Sequence, residues 1–321
     1  MRSQSGDIGT DGYTSGGHDM DVVIAGGSGF IGSALGRSLE ADGHRVLRLV
    51  RPDTSPMDGA TVAWDPGVST IDAKGLEAVD AVVNLAGVGI GDARWSDARK
   101  DEILKSRLAA TGLLSNTLAH LSKPPAVFVS ASGVGYYGDR GDEQCTEDSA
   151  PGTDFLAGVC VAWEDAAHPA AEAGLRVAWV RTGLVLDPSG GVLKQLLGPF
   201  KLGLGGRLGT GRQYMSWISL ADEVGAIRAV IDDPTLVGPV NLTAPNPVTN
   251  AEFTATMGKV LGRPTALPTP LLPLKLRYGS ELVQHLLLEG QRVLPTKLTD
   301  AGYEYAHTEL EPALRALLDK E

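Results

Sequence analysis

Short, nearly continuous apolar runs alternate along this chain with stretches in which apolar residues recur every three or four positions. DVVIAGG (21–27) is a β-branched run closed by glycine and predicts a buried strand. FIGSALGRSLEADG (30–43) places Ile31, Leu35 and Leu39 on one helical face and stops at Gly43. RVLRLV (45–50), AVDAVVNLAG (78–87) and AVFVSAS (126–132) predict further strands, with TVAW (61–64) a weaker one between. A long helix is predicted over 97–121, with Ile103, Leu104, Leu108, Leu113 and Leu114 on its apolar side. Another, around 155–173, leads into the strand pattern LRVAWVRTGLVL (175–186). Strands alternating with helices predict βαβ units with right-handed crossovers. The expected fold class is therefore α/β, a doubly wound parallel Rossmann sheet, with its ligand beyond the carboxyl ends of the strands.

The texture changes after residue 187. GGVLKQLLGPFKLGLGGRLGTG is glycine-dense with little strand pattern, and MSWISL followed by ADEVGAIRAVIDD reads as a short strand and a helix. Thr249 and Glu252 form a capping-box pattern before a helix, and Asp222 is expected to cap the helix that it begins. ALPTPLLPLK (266–275) is expected to break the chain, and LEPALRALLDK to form a short helix. The expected domains are a disordered leader (1–20), a Rossmann domain (21–187) and a smaller C-terminal α/β lobe (188–321) with segments returning to the sheet. Residues 1–20 are rich in Gly, Ser and Asp and lack the apolar centre of a signal peptide, and Met20 could be the natural start.

The 321 residues are 43% apolar, enough for a sizeable core. The formal net charge of −11 makes the chain a poor general partner for nucleic acid or an anionic membrane, but does not prevent local anion binding at a helix N-terminus. Cys145 and Cys160 form neither a metal spacing nor a disulfide framework, which points to a reducing, cytoplasmic setting. No histidine pair stands at ligand spacing, so no metal is expected. No run reaches the length of a membrane helix.

GGSGFIG (26–32) joins the first strand to the first helix, the context in which such a pattern is informative. Gly26 permits the tight turn, Gly29 lets backbone approach a pyrophosphate, and Gly32 lets the helix close on the strand. Ser28, Phe30 and Ile31 complete the turn and the helix start, whose N–H groups would face phosphates. Where an NAD site usually ends its second strand with a carboxylate, this chain has Val50 followed by Arg51. An arginine there suits a 2′-phosphate, so NADP(H) is expected over NAD. Asp53 is an alternative carboxylate, past a proline. Leu85, Ala86 and Gly87 of NLAG are expected to line the adenosine side of the site.

These phrases, with VSASGVGYYG, TEDSAPGTDFLAGVCVAWE, RTGLVL, LGLGGRLGTG, SWISLAD and QRVLPTKL, resemble the extended short-chain dehydrogenase/reductase superfamily. More closely, the chain resembles its atypical epimerase branch of the bacterial YfcH type, over nearly its whole length. The resemblance implies an NADP-binding oxidoreductase or epimerase fold, an unidentified small-molecule substrate, a C-terminal cap of unassigned function and a tendency to form homodimers. Some relatives are described as cell-division proteins.

The superfamily's working set is Asn, Ser, Tyr and Lys. The resemblance places the Ser at Ser132 and the Asn, less closely, at Arg107. The Tyr–Lys pair falls on Leu156 and Cys160, neither of which can do its work: leucine has no proton to give, and cysteine carries no fixed positive charge. One reading is an active enzyme with a rebuilt site, in which Ser132 binds a substrate oxygen, Arg107 restores positive charge, and Tyr136 or Tyr137 donates the proton. Another is a non-catalytic NADP(H) sensor, and a third a structural module with an empty cleft. Each residue also has a plainer reading: Arg107 as a surface ion pair with Asp101 or Glu102, Cys160 as a small hydrophobe, Tyr137 as packing under its loop. Arg181 either supports the nicotinamide loop or is structural. Trp95 either edges the pocket or anchors the long helix. Lys201, Arg207 and Arg212 either close over an anionic group or decorate an irregular crossover.

Overall fold

The structure, a computed structural model, describes residues 19–52 and 59–320. Asp53 and residues 1–18 of the expected leader lie outside the described residues. The first part of the chain runs β1 (Asp21–Ala25), α1 (Phe30–Ala41), β2 (Arg45–Val50), β3 (Ala60–Asp65), β4 (Thr70–Ile71), β5 (Ala81–Asn84), α2 (Asp97–Leu118), β6 (Val127–Gly133) and β7 (Gln144–Cys145). α3 (Phe155–Asp165) and α4 (His168–Glu172) lead to β8 (Arg176–Thr182) and β9 (Leu184–Asp187). Then come α5 (Gly191–Lys201), β10 (Tyr214–Met215), β11 (Trp217–Ser219), α6 (Leu220–Asp232), β12 (Gly238–Leu242), β13 (Val248–Thr249) and α7 (Asn250–Leu261). The chain ends with α8 (Leu271–Tyr278), α9 (Ser280–Val283), β14 (Arg292–Val293), α10 (Thr296–Asp300) and α11 (Leu310–Leu317).

The main sheet has the order β12-β8-β6-β5-β1-β2-β3-β4. Every pairing in it is parallel except β3 with β4. Alternate residues of each strand feed two cores. Val22, Ile24, Val83 and Val129 pack beneath α1 and α6 on one face. Val23, Ala25, Val82 and Phe128 pack beneath α2 and α4 on the other. Burial on both faces explains why these strands read as unbroken apolar runs. The chain builds outward from β1 through β2 and β3, then crosses back to β5, so the strand order reverses between β1 and β5. Such a reversal opens a crevice at the carboxyl ends of the two strands.

Four local expectations are corrected. The helix expected over 155–173 is two helices, because a proline at 169 cannot follow α3 without striking the carbonyl of residue 165. The strand expected over 175–186 breaks at Gly183, where β9 leaves the main sheet to pair with β11. A Cβ at Gly183 would stand 2.4 Å from the Ser216 carbonyl oxygen, so only glycine fits this crossing. The glycine-dense stretch after 187 contains α5, whose Leu193, Leu197 and Phe200 face a third core with Trp217, Phe253 and Leu314. Ser219, not Asp222, caps α6. Asp222 is instead buried and accepts the backbone N–H groups of Ala306 and His307, tying the C-terminal segment to α6.

The C-terminal part returns to the sheet through β12, beside β8. It also pairs β14 with β7 and β13 with β10. The capping box is formed: Thr249 accepts from Glu252 N–H, and the Glu252 carboxylate accepts from Thr249 N–H at 2.7 Å. Among the described residues no helix is long and apolar enough to cross a membrane.

Candidate active site

A cleft of about 1010 Å³ opens at the reversal point. Its floor is the turn Gly26–Gly29 after β1, and Leu85–Val88 after β5 forms one wall. Leu49–Arg51 at the end of β2 and Trp64–Gly67 at the end of β3 form another, and Lys105, Ser106 and Ala109 of α2 close it. Of the expected cofactor residues, Gly26, Ser28, Gly29, Arg51, Leu85, Ala86 and Gly87 line this cleft. The turn works only with glycine at its key positions. Gly26 has φ +78°, and a Cβ there would lie 2.8 Å from the Leu85 carbonyl oxygen. A Cβ at Gly32 would lie 2.3 Å from the Gly26 carbonyl oxygen, so this residue lets α1 begin directly on the turn. No side chain caps α1, which leaves its first N–H groups for a ligand. The Phe30 ring lies against Gly190 and Gly191, and Ile31 packs on the core, so both side chains serve packing, and neither residue is among those that line the cleft. This bare cradle and the exposed Arg51 at its rim fit a dinucleotide with an extra phosphate.

Asn84, at the end of β5, fixes the second wall. Its amide donates to Thr111 Oγ1 at 2.8 Å and its carbonyl accepts from Ala86 N–H at 3.2 Å. Thr111 also accepts from the Trp163 indole at 2.8 Å, which sets the ring of α3 against α2.

The other expected residues gather at the ends of β6 and β8. Ser132 is buried and donates its hydroxyl hydrogen to Glu164 Oε1 at 2.7 Å. Glu164 in turn holds Arg181 side-on: Nε reaches Oε1 at 2.8 Å and Nη2 reaches Oε2 at 2.9 Å. Arg181 also donates to Tyr137 Oη at 3.0 Å and to the Glu147 carbonyl at 3.2 Å, and lies over the Tyr136 ring at 3.4 Å. Burial alone would lower the Arg181 pKa, but hydrogen bonds to Glu164 and the charge beside it carry it above the usual value. Most of its donors are thus committed inside the protein. Its guanidinium is the counter-ion of Glu164, and Arg181 is not among the residues that line the cleft.

Tyr137 is corrected as a proton donor. It is fully buried, and its hydroxyl donates to Asn241 Oδ1 at 2.6 Å while accepting from Arg181. Burial pushes its pKa up to about 12, against the opposing pull of Arg181. Cys160 sits one helical turn from Leu156, and its thiol points at the Gly133 carbonyl, 3.6 Å away. Burial and then the nearby Glu164 push the thiol up to about 12, so it remains protonated at neutral pH and is no nucleophile. Leu156 belongs to an apolar cluster with Trp95, Ile103, Val159 and Leu282. Trp95 is an anchor, with its indole donating to the Ile90 carbonyl at 2.9 Å.

Arg107 is not a surface residue. It is 6% exposed on the inner face of α2, with its guanidinium over the Trp163 ring at 4.6 Å. Asp101 and Glu102, its supposed partners, pair instead with Lys105 and Arg99. Arg207 folds back on the carbonyls of Gly209 and Thr210, which orders its own loop.

Sequence reading did not single out Glu164, Asn241 or Glu147. Glu147 Oε1 accepts the N–H groups of Asn241 and Lys297, so it joins β12 to the C-terminal segment. One signal was available for Glu164: a charged residue on the apolar side of a short helix, four positions after Cys160.

A model of the NAD dependent epimerase/dehydratase family matches residues 22–242, and a model of a domain of unknown function matches 269–317. An epimerase family protein of Mycobacterium tuberculosis is 47% identical, over 91% of this chain and 96% of its own length. The crystal structure of a human epimerase family protein, SDR39U1 with NADPH, superposes with a TM-score of 0.85 at 36% identity, covering 94% of this chain and 99% of the human one. A nucleoside-diphosphate sugar epimerase structure from Corynebacterium glutamicum has a TM-score of 0.79 at 34% identity, covering 95% of this chain and 59% of that one. With its sheet order, its glycine cradle and this match over most of its length, the chain belongs to the NAD dependent epimerase/dehydratase family.

Proposed function

We propose that this protein binds NADP(H) and transfers hydride between it and a small molecule, as an oxidoreductase or epimerase whose Tyr–Lys pair is replaced by Leu156 and Cys160. The observation that carries this reading is the cleft at the strand reversal, with its glycine cradle and with Arg51 at the end of β2. The NADPH in the human relative's structure supports the same choice of cofactor. In this reading the first N–H groups of α1 and the backbone of Gly26–Gly29 receive the diphosphate. Arg51 receives the 2′-phosphate, and Leu85–Gly87 lines the adenosine side. The bound cofactor supplies the hydride. Ser132 has given its hydrogen to Glu164, so its free lone pairs accept a hydrogen from a substrate hydroxyl. Arg107 supplies the positive charge that the absent lysine would have brought.

The test is a fluorescence titration of the purified chain with NADPH and NADH, followed by a carbonyl panel. NADPH is expected to bind about tenfold or more tightly than NADH, and Arg51→Ala to erase most of that preference. A folded protein that binds neither nucleotide would sink the reading. The site's chemistry also favours a second reading, an NADP(H) sensor. Burial keeps Cys160 and Tyr137 protonated at neutral pH, Tyr137 gives its hydrogen to Asn241, and Leu156 has no proton to give, which leaves Tyr136 alone among the expected donors. Tight NADPH binding without turnover across the panel would select the sensor.

A further inference from the structure

We propose that Arg107 is the receptor for a carboxylate of the substrate, so that the ligands of this site are small carbonyl- or hydroxyl-bearing carboxylic acids. This rests on the NADP(H) reading above and deepens it.

The residue's position on its helix is the first indication. Ile103, Ala110 and Leu114 share the buried face of α2 with Arg107. Positions three, four and seven apart on a core-facing helix ordinarily stay apolar. A guanidinium there is costly unless something answers its charge. Among the described residues no carboxylate lies within ion-pair distance of it. Burial draws its pKa down to about 10, Cys160 acts the other way, and Arg99 adds a smaller lowering. It still carries full charge at neutral pH.

The donors give the geometry. Nη1 reaches the Val88 and Ile103 carbonyls, both at 3.0 Å, and so locks one corner of the guanidinium. The Trp163 ring fixes its plane, and Trp163 is itself held by Thr111. Nε is buried without a partner, and Nη2 makes no hydrogen bond within the described residues. These two N–H groups form one edge of the fork, which accepts a carboxylate through two parallel bonds. Leu156, Trp95 and Val159 make the neighbourhood apolar, which strengthens such a pair once water is excluded.

The location favours substrate over cofactor. A Cβ at Gly87 would lie 3.3 Å from the Arg107 Cγ, Cζ and Nη1, so the end of the cleft wall is kept bare beside the guanidinium. On its other side Arg107 is coupled to Cys160, which also neighbours Ser132. The diphosphate already has the α1 N-terminus, on the β1 side of the cleft. Arg107 therefore stands directly behind the cleft wall at Gly87, apart from the turn that cradles the diphosphate.

Calorimetry on the full chain tests the proposal, with NADP⁺ present and oxamate as an unreactive probe, beside a series of 2-oxo acids and their amides. The acids are expected to bind about thirtyfold or more tightly than their amides. Arg107→Met should weaken acid binding by about a hundredfold and leave NADPH affinity within about threefold, and Arg107→Lys should restore part of the loss. Equal affinity for acids and amides would overturn the proposal, as would failure of every acid to bind the NADPH-competent protein. A loss of NADPH affinity in Arg107→Met that matches the loss of acid binding would also overturn it, by assigning Arg107 to the cofactor. Should Arg107→Met not fold, the comparison of acids with amides on the unaltered chain decides alone. If the folded chain fails to bind NADPH, the cofactor reading falls separately, and the same comparison without cofactor still decides the role of Arg107.

Discussion

Arg181 and Glu164 show what one buried residue does for another. Arg181 is 2% exposed, and its side-on pair with Glu164 also orients the Ser132 hydroxyl. Removing one partner strands a buried charge, whereas replacing both removes the charge altogether. Arg181→Met should therefore cost about 3–5 kcal/mol in urea unfolding, and Glu164→Gln combined with Arg181→Met should recover a large part of it. A double variant no more stable than Arg181→Met would show that the pair is not the source of the loss. Glu223 poses the opposite case, a buried acid with no ion-pair partner among the described residues. Thr182 donates to its Oε1 at 2.7 Å, and its Oε2 is buried without a partner. Burial raises its pKa to about 8 from an ordinary 4.5, with Thr182 pulling slightly down. In the unfolded chain this group ionises from about pH 4.5 upward, while in the fold it stays protonated to about 8. Stability is thus lost as pH rises across that window, by up to about 1.4 kcal/mol per pH unit, and the loss levels off above it. Glu223→Gln keeps an acceptor for Thr182 and removes the titration, so its stability advantage should widen between pH 5 and 8. A constant or shrinking gap would contradict the assignment.

At the scale of elements, the strand–turn–helix unit β1–α1 is the proposed seat of the diphosphate, and its tolerance can be measured. Gly32→Ala puts a methyl group 2.3 Å from the Gly26 carbonyl oxygen, a backbone atom that cannot rotate away. The helix start must shift, and its N–H groups with it. NADPH affinity should fall by about tenfold or more, with Gly112→Ala, where a Cβ meets nothing within 4 Å, as the neutral control. Equal affinity in the two variants would mean that α1 does not hold the phosphates. The same unit was the most legible part of the sequence, because its information is local: an apolar run, three glycines and a helical repeat lie within 22 residues of one another. The core strands were legible for the same reason, since burial on both faces leaves an unbroken apolar run. α5 was not, because glycine and Pro199 mask the three buried positions that define it. Nor was the site's interior. Ser132 and Glu164 are 32 residues apart, Arg181 follows after another 17, and Tyr137 meets Asn241 across 104, distances at which no periodicity operates. Only the folded sheet shows that Arg181 answers Glu164.

For the whole molecule, the question is whether the C-terminal region is an appendage or part of the Rossmann core. Its connections are too many and too deep for an appendage. β12 forms an edge of the main sheet, and β14 pairs with β7. Ser216 accepts from Val293 N–H and donates to the Gln291 carbonyl, while Asp222 holds the backbone at 306 and 307. Leu298 sits in the core under α6, and Leu310, Ala313 and Leu314 close the core around Trp217. Removing residues 269–321 would expose these apolar faces and leave the Asp222 carboxylate without its backbone donors. Such a chain should fail to give a stable fold, although the matched epimerase region ends at 242. A finer measurement uses the intact protein. Trp64 belongs to β3 and lies in the core with residues of β2, and Trp217 lies in the C-terminal core. If the two regions unfold as one unit, Trp64→Phe and Trp217→Phe should show coincident urea midpoints by fluorescence and by circular dichroism within each variant. NADPH at about a hundred times its dissociation constant should then raise the stability seen by both probes by about 2.7 kcal/mol. Separate midpoints by the two probes, with only one of the transitions responding to NADPH, would instead make the C-terminal region an independent domain resting on the cofactor lobe.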